Sequence, residues 1–140
     1  METPNFLIWA AIVLSATSFA VISMVNAYRK PIEQAPFPDT VIEDPSVAIS
    51  NTALTTFVGA VGTYRAGDYR GAIDQFTEVL KQEPNCAEAF HNLGLAYANI
   101  GDNDKALRSF LKASDAYDKQ DTKAGLDRIK QDLETLKQAG

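Results

Sequence analysis

One cysteine, one histidine and one tryptophan are all that the 140 residues hold of those three types. Cys86 alone leaves no intramolecular disulfide to staple the fold, and a reducing compartment needs none. It reads as the mark of a turn, not as a nucleophile. His91 alone leaves any metal site short of ligands, and Cys86 five residues earlier does not complete one. An excess of positive charge is missing too. The net charge is −5, and from Asn51 onward eleven bases stand against thirteen acids. Nucleic-acid binding therefore has no electrostatic footprint. No segment alternates as a strand does, so a strand-borne, glycine-rich phosphate loop is excluded. Asp102 and Asp104 look like a carboxylate pair, but they stand in a turn that calls for helix caps. The reading is non-enzymatic, with no cofactor and no metal expected.

Charge is also absent from Phe6 to Tyr28, a run of twenty-three residues. As a helix it would be about 35 Å long, enough to cross a hydrocarbon core of about 30 Å. Residues 1–30 are expected to be a single transmembrane anchor. Val25 to Ala27 resemble a cleavage site, but Glu2 is the only charged side chain before the run, and a cleavable leader wants bases there. Trp9 and Tyr28 suit the two interfaces. Arg29-Lys30 predict that the chain beyond them lies on the cytoplasmic or stromal side, with the N-terminus outside. The bilayer is thus an expected partner of residues 6–28. Ala11, Ser15 and Ser18 share one narrow helix face, a candidate for packing on a partner's helix. Residues 31–48 then read as an acidic, proline-rich linker. Between Pro31 and Ser46 stand four of the six prolines and four acids. Proline at that density opposes helix and central strand alike, which predicts a semi-extended tether.

From residue 49 to 140 the pattern is helical and repeats. "RAGDYRGAIDQF" from Arg65 is echoed thirty-four residues later by "NIGDNDKALRSF". Gly67 pairs with Gly101, Asp68 with Asp102, Ala72 with Ala106 and Phe76 with Phe110. Five helices are predicted, at about 49–66, 69–81, 87–100, 103–117 and 122–138. The second carries Ala72, Ile73, Phe76, Val79 and Leu80 on one stripe, and the last carries Leu126, Ile129, Leu133 and Leu136, with its acids and bases on the other faces. The fold class is all-α.

"AEAFHNLGLAYANIGDNDKALRSFLKA", from Ala87 to Ala113, resembles the tetratricopeptide repeat. Phe90, Leu93-Gly94, Tyr97, Ala106, Phe110 and Ala113 hold the motif's positions. Small Gly94 and Ala106 suit a close helix crossing, and Asp102 suits a cap. The preceding copy matches in its second half, through Tyr69, Ala72, Phe76 and Pro84. Its first helix departs, with Thr56, Gly59-Ala60 and Thr63 where aromatic, leucine-glycine and tyrosine are usual. The resemblance implies repeats at about 53–86 and 87–120, closed by a capping helix at about 122–138, because stacked repeats bury one another's faces.

The same resemblance implies a concave groove that holds partner peptides or helices. Its wall would come from Phe57, Val61, Tyr64 and Arg65 on the first hairpin, with Leu54 beside them, and from Glu88, His91, Asn92, Leu95 and Asn99 on the second. Leu54 and Phe57 stay open between groove and core. The basic clamp for chaperone tails is not evident, since Phe57 and Val61 stand where lysine and asparagine would be needed. An anchor, a tether and a few repeats are similar in plan to the photosystem I assembly proteins of cyanobacteria and plastids. That implies an assembly factor or adaptor for a membrane complex, on the thylakoid membrane. A permanent accessory subunit of such a complex is the alternative.

Overall fold

From Asn51 onward five helices follow one another: α1 (Asn51–Arg65), α2 (Tyr69–Gln82), α3 (Ala87–Asn99), α4 (Asn103–Lys119) and α5 (Lys123–Ala139). They belong to a computed structural model that describes residues 5–8, 10–13, 22–23 and 35–140. The chain divides into two units, Met1–Lys30 and Pro31–Gly140.

Three of the five helices start on a side-chain cap. Ser50 accepts the Ala53 N–H at 3.3 Å, Asp68 the Gly71 N–H at 2.9 Å and Asp102 the Lys105 N–H at 3.2 Å. These are N-caps, each stabilising by about 1 kcal/mol. Three helix ends close in one geometry. Gly67 (φ 80°), Gly101 (φ 82°) and Asp121 (φ 55°) lie in the left-handed region. The next N–H then reaches back five residues: Asp68 to the Thr63 carbonyl, Asp102 to Tyr97 and Thr122 to Tyr117, at 3.2, 2.9 and 2.9 Å. That bond pattern satisfies carbonyls the helix end would otherwise strand. Glycine adopts the conformation freely at the first two turns; Asp121 holds it at the third with a side chain in place.

The hairpins pack through aromatic rings. Phe57 and Phe76 join α1 to α2, 5.5 Å apart and edge to face. Phe57 is fully buried, which settles it as core, while Leu54 remains 38% exposed. α3 lies in the middle, with eleven of its thirteen residues buried. It approaches α4 so closely that a Cβ on Gly94 would sit 2.5 Å from the Phe110 ring. Gly125 repeats the device on α5, where a Cβ would meet the Tyr117 ring at 2.5 Å. α5 covers the open side of the last hairpin through Ile129 and Leu136, with Leu126 and Leu133 partly buried.

Three expectations change. Asp132 does not share the solvated face of α5; it is 5% exposed and turned inward, because a polar partner waits on α3. The free tether is also corrected. From Ala35 the segment packs against the helices, with Phe37 2% and Val41 6% exposed. Its prolines exclude helix and strand but not a fixed irregular course, with a turn at Pro38-Asp39 and bends at Asp44 and Ser46.

The third correction concerns the membrane. Among the described residues no helix is long and apolar enough to cross one. The predicted single-pass localisation, with repeats on the cytoplasmic or stromal side of a thylakoid membrane and residues 6–28 in lipid, is set aside. Ala11 is helical and exposed; Ser15 and Ser18 lie outside the described residues, as do Trp9, Tyr28, Arg29 and Lys30.

Gly94→Ala should destabilise the domain by about 1–3 kcal/mol, the usual range for overpacking. In a domain of this size each kcal/mol lowers Tm by about 4–8 °C. Thermal unfolding followed by circular dichroism reads the shift, and an unchanged Tm would refute the close crossing.

Candidate functional site

The concave face is built from α1, α3 and α5, and its polar residues grip main chain. Asn99 takes both backbone groups of Phe37: its Oδ1 accepts the Phe37 N–H at 2.8 Å and its Nδ2 donates to the Phe37 carbonyl at 2.9 Å. Asn92, seven residues earlier on α3, does the same to Ile42, at 2.8 and 2.9 Å. Seven residues are about two helical turns, so both amides project from one face. One turn further back, buried Glu88 accepts the Ser46 N–H at 3.0 Å and the Ser46 hydroxyl as well. Glu83 accepts the Ser50 N–H at 2.9 Å. The segment from Phe37 to Ser46 therefore runs antiparallel to α3.

The side walls close on the same segment. Tyr64 donates its hydroxyl to the Phe37 carbonyl and accepts from Asn99 Nδ2 at 2.8 Å. Burial pushes the Tyr64 phenol far above its ordinary range, so it stays a donor at any working pH. Arg128 on α5 donates to the Thr40 carbonyl at 3.1 Å, and Arg65 pairs with Glu43 at the exposed rim. The Phe37 ring meets Phe110 edge to face, centroids 6.3 Å apart. Burying an aromatic or branched aliphatic side chain contributes roughly 1.5–3 kcal/mol, and each main-chain hydrogen bond about 0.5–1.5 kcal/mol net.

Of the nine predicted groove residues, Tyr64, Arg65, Glu88, Asn92 and Asn99 touch the segment directly. Phe57, Val61 and Leu95 are buried in the hydrophobic core. His91 is fully buried, and its ring nitrogens meet Tyr117 and Asp132, not the segment. Glu83 and Arg128 join the grip although no motif position marks either; they gain a role from where Pro84 and α5 turn the chain. The thiol of Cys86 is pushed up to about 11, chiefly by burial, and stays protonated at neutral pH.

Behind the groove His91 ties α3 to the last two helices. Asp132 lies 2.6 Å from Nε2 and the Tyr117 hydroxyl 3.2 Å from Nδ1. An ionised carboxylate only accepts, so Nε2 carries the proton and Tyr117 donates to Nδ1. Both nitrogens are satisfied with the ring neutral. Burial lowers the His91 pKa below its ordinary 6.5; the bond to Asp132 and its charge oppose this without reversing it.

Comparison with known proteins matches residues 62–121 to the tetratricopeptide repeat. The matched stretch runs from the second half of α1 to just past the end of α4. Over 57 residues the chain is 39% identical to the Photosystem I assembly protein Ycf3 of Prochlorococcus marinus (strain MIT 9211). The stretch is 39% of this chain and 33% of that relative, so the chain spans about a third of the relative's length. No solved structure matches.

The His91 shift sets the sign of an acid response. An unfolded chain binds the histidine proton below pH 6.5, while the folded one resists until lower pH. Stability from this site is therefore complete above 6.5 and is lost as pH falls through the folded value. Tm should fall on acidification from neutral pH toward pH ~5. His91→Gln, which offers Asp132 a donor but no titrating ring, should flatten that decline. Parallel slopes for the two proteins would place the acid sensitivity elsewhere.

Proposed function

From the tetratricopeptide repeats of residues 62–121 as a premise, we propose that this chain is a non-enzymatic protein-interaction module. It acts as an assembly factor or adaptor for a membrane protein complex, with photosystem I the leading candidate. The observation that carries the reading is the pair of amides at Asn92 and Asn99, each bonded to both backbone groups of one residue in a non-helical segment. Backbone groups are common to every peptide, so a surface that grips them takes non-helical chain as a class, and pockets beside them choose among sequences. The carboxylates and amides of the concave face are engaged in that grip, and the Cys86 thiol is protonated. The name of the Prochlorococcus relative supports photosystem I assembly as the setting.

A tagged full-length chain should recover photosystem I subunits from detergent-solubilised membranes, in amounts well below one per mature complex. One-to-one recovery with the mature complex would make it a permanent subunit instead. Asn92→Ala with Asn99→Ala should cut that recovery at least tenfold, since the variant forfeits four main-chain hydrogen bonds and about 1.4 kcal/mol already corresponds to tenfold. Full recovery by a folded double variant would exclude the groove as the recognition surface.

A further inference from the structure

The groove is full. Residues 37–46 of the same chain occupy it, and they are held differently from the rest of the domain. Among the described residues the segment has no regular secondary structure. Its polar contacts to the helices run from side chain to main chain or from side chain to side chain: Asn99 and Tyr64 at Phe37, Arg128 at Thr40, Asn92 at Ile42, Arg65 at Glu43 and Glu88 at Ser46. Phe37 and Val41 are its fully buried apolar side chains, with Ile42 and Pro45 partly buried. The matched repeat region, residues 62–121, does not include it.

We propose that residues 37–46 are a built-in occupant that a partner displaces, and that the partner presents an acidic, non-helical segment of the same pattern. This rests on the groove being the recognition surface. The pattern is legible in the occupant: an aromatic residue, a branched aliphatic four positions on, an acid two positions beyond and a hydroxyl three further, as in Phe37, Val41, Glu43 and Ser46. Three of the four have a polar or aromatic counterpart on the helices. Phe110 receives the ring, Arg65 the acid and Glu88 the hydroxyl. Arg65 and Arg128 set the charge preference for a segment that, like this one, carries Asp39, Glu43 and Asp44.

Physical reasons make the segment displaceable. Its departure uncovers Asn92, Asn99, Glu88 and Arg128, groups that water satisfies, so the open groove is wettable apart from the site of Phe37 and Val41. The rim pair of Arg65 and Glu43 is exposed and salt-screened, which holds the segment weakly at that end. Because it is tethered, the segment competes at a high effective concentration and lowers the apparent affinity for any free peptide by the fraction of time the groove is open. A partner anchored beside the groove escapes that penalty; a stray peptide does not.

The test uses a fluorescent synthetic peptide of residues 35–46, APFPDTVIEDPS, added to the full-length chain. Phe37→Ala, which removes the buried ring, should bind it at least tenfold more tightly than the unmodified chain does. Adding Asn99→Ala should lose that gain, and a scrambled peptide should not bind. Equal affinity for the unmodified chain and Phe37→Ala overturns displacement while leaving the groove reading intact, provided Asn99→Ala still weakens binding. No binding to Phe37→Ala overturns the exchange, and the recovery of photosystem I subunits then decides the groove reading separately. Hydrogen exchange on the unmodified chain guards against a variant that fails to fold. The Phe37 and Ile42 amides should exchange at least tenfold faster than those of Leu95 and Ala96 in α3. Equal rates would mean that the segment leaves only when the whole domain unfolds, which overturns the proposal. A dimer of the unmodified chain in light scattering would place the segment in a neighbouring copy and overturn it as well.

Discussion

The approach of α3 to α4 at Gly94 is the constraint on which the rest of the domain depends. With no Cβ in the way, the Phe110 ring lies where one would be, 2.5 Å from its ideal position. Phe110 then meets His91 on one side, centroids 5.7 Å apart, and Phe37 on another, at 6.3 Å. One small residue thus places the ring that links the hairpin core, the buried histidine and the groove. A larger residue there would push the ring outward and disturb all three, because packed interiors transmit displacement instead of absorbing it.

The second organising feature is the use of polar residues in the middle helix. α3 buries Glu88, His91, Asn92 and Asn99, a cost that only full hydrogen bonding offsets. Three of them spend that capacity on residues 37–46, and His91 spends its own on Tyr117 and Asp132. The helix therefore serves two faces. Toward α4 and α5 it is a structural core; toward the groove it is a row of main-chain receptors. A set of leucines at the same positions would make a more stable hairpin and leave nothing able to recognise a peptide backbone.

The turns show how a repeat is closed when its motif runs out. Gly67 and Gly101 permit the left-handed turn at no steric cost, and Asp121 adopts it at the third helix end with the same backward hydrogen bond. The geometry continues past the sequence motif because α5 must turn back to cover the last hairpin. Gly125 follows the same logic, matching on α5 the clearance that Gly94 provides on α3.

Local chemistry was enough to read the helices, their breaks and the spacing of two hairpins. Apolar stripes, capping aspartates and glycine turns act within a few residues, so the chain alone carries them. The repeat resemblance also implied that Asn92 and Asn99 line the concave face. It could not name their ligand. Residues 37–46 reach Asn99 across sixty-two positions and Asn92 across fifty, and proline-rich composition describes a free tether and a bound strap equally well. The inward turn of Asp132 was hidden for the same reason, since a charged residue on a mixed helix reads as solvated until its partner, His91, is found forty-one positions away. Charge-free composition likewise suggested a membrane span in residues 6–28, and among the described residues the helices do not supply one. Periodicity belongs to the sequence because each hydrogen bond of a helix closes within four residues. Occupancy of the groove belongs to the tertiary structure, because only folding brings those distant residues within a hydrogen bond of one another.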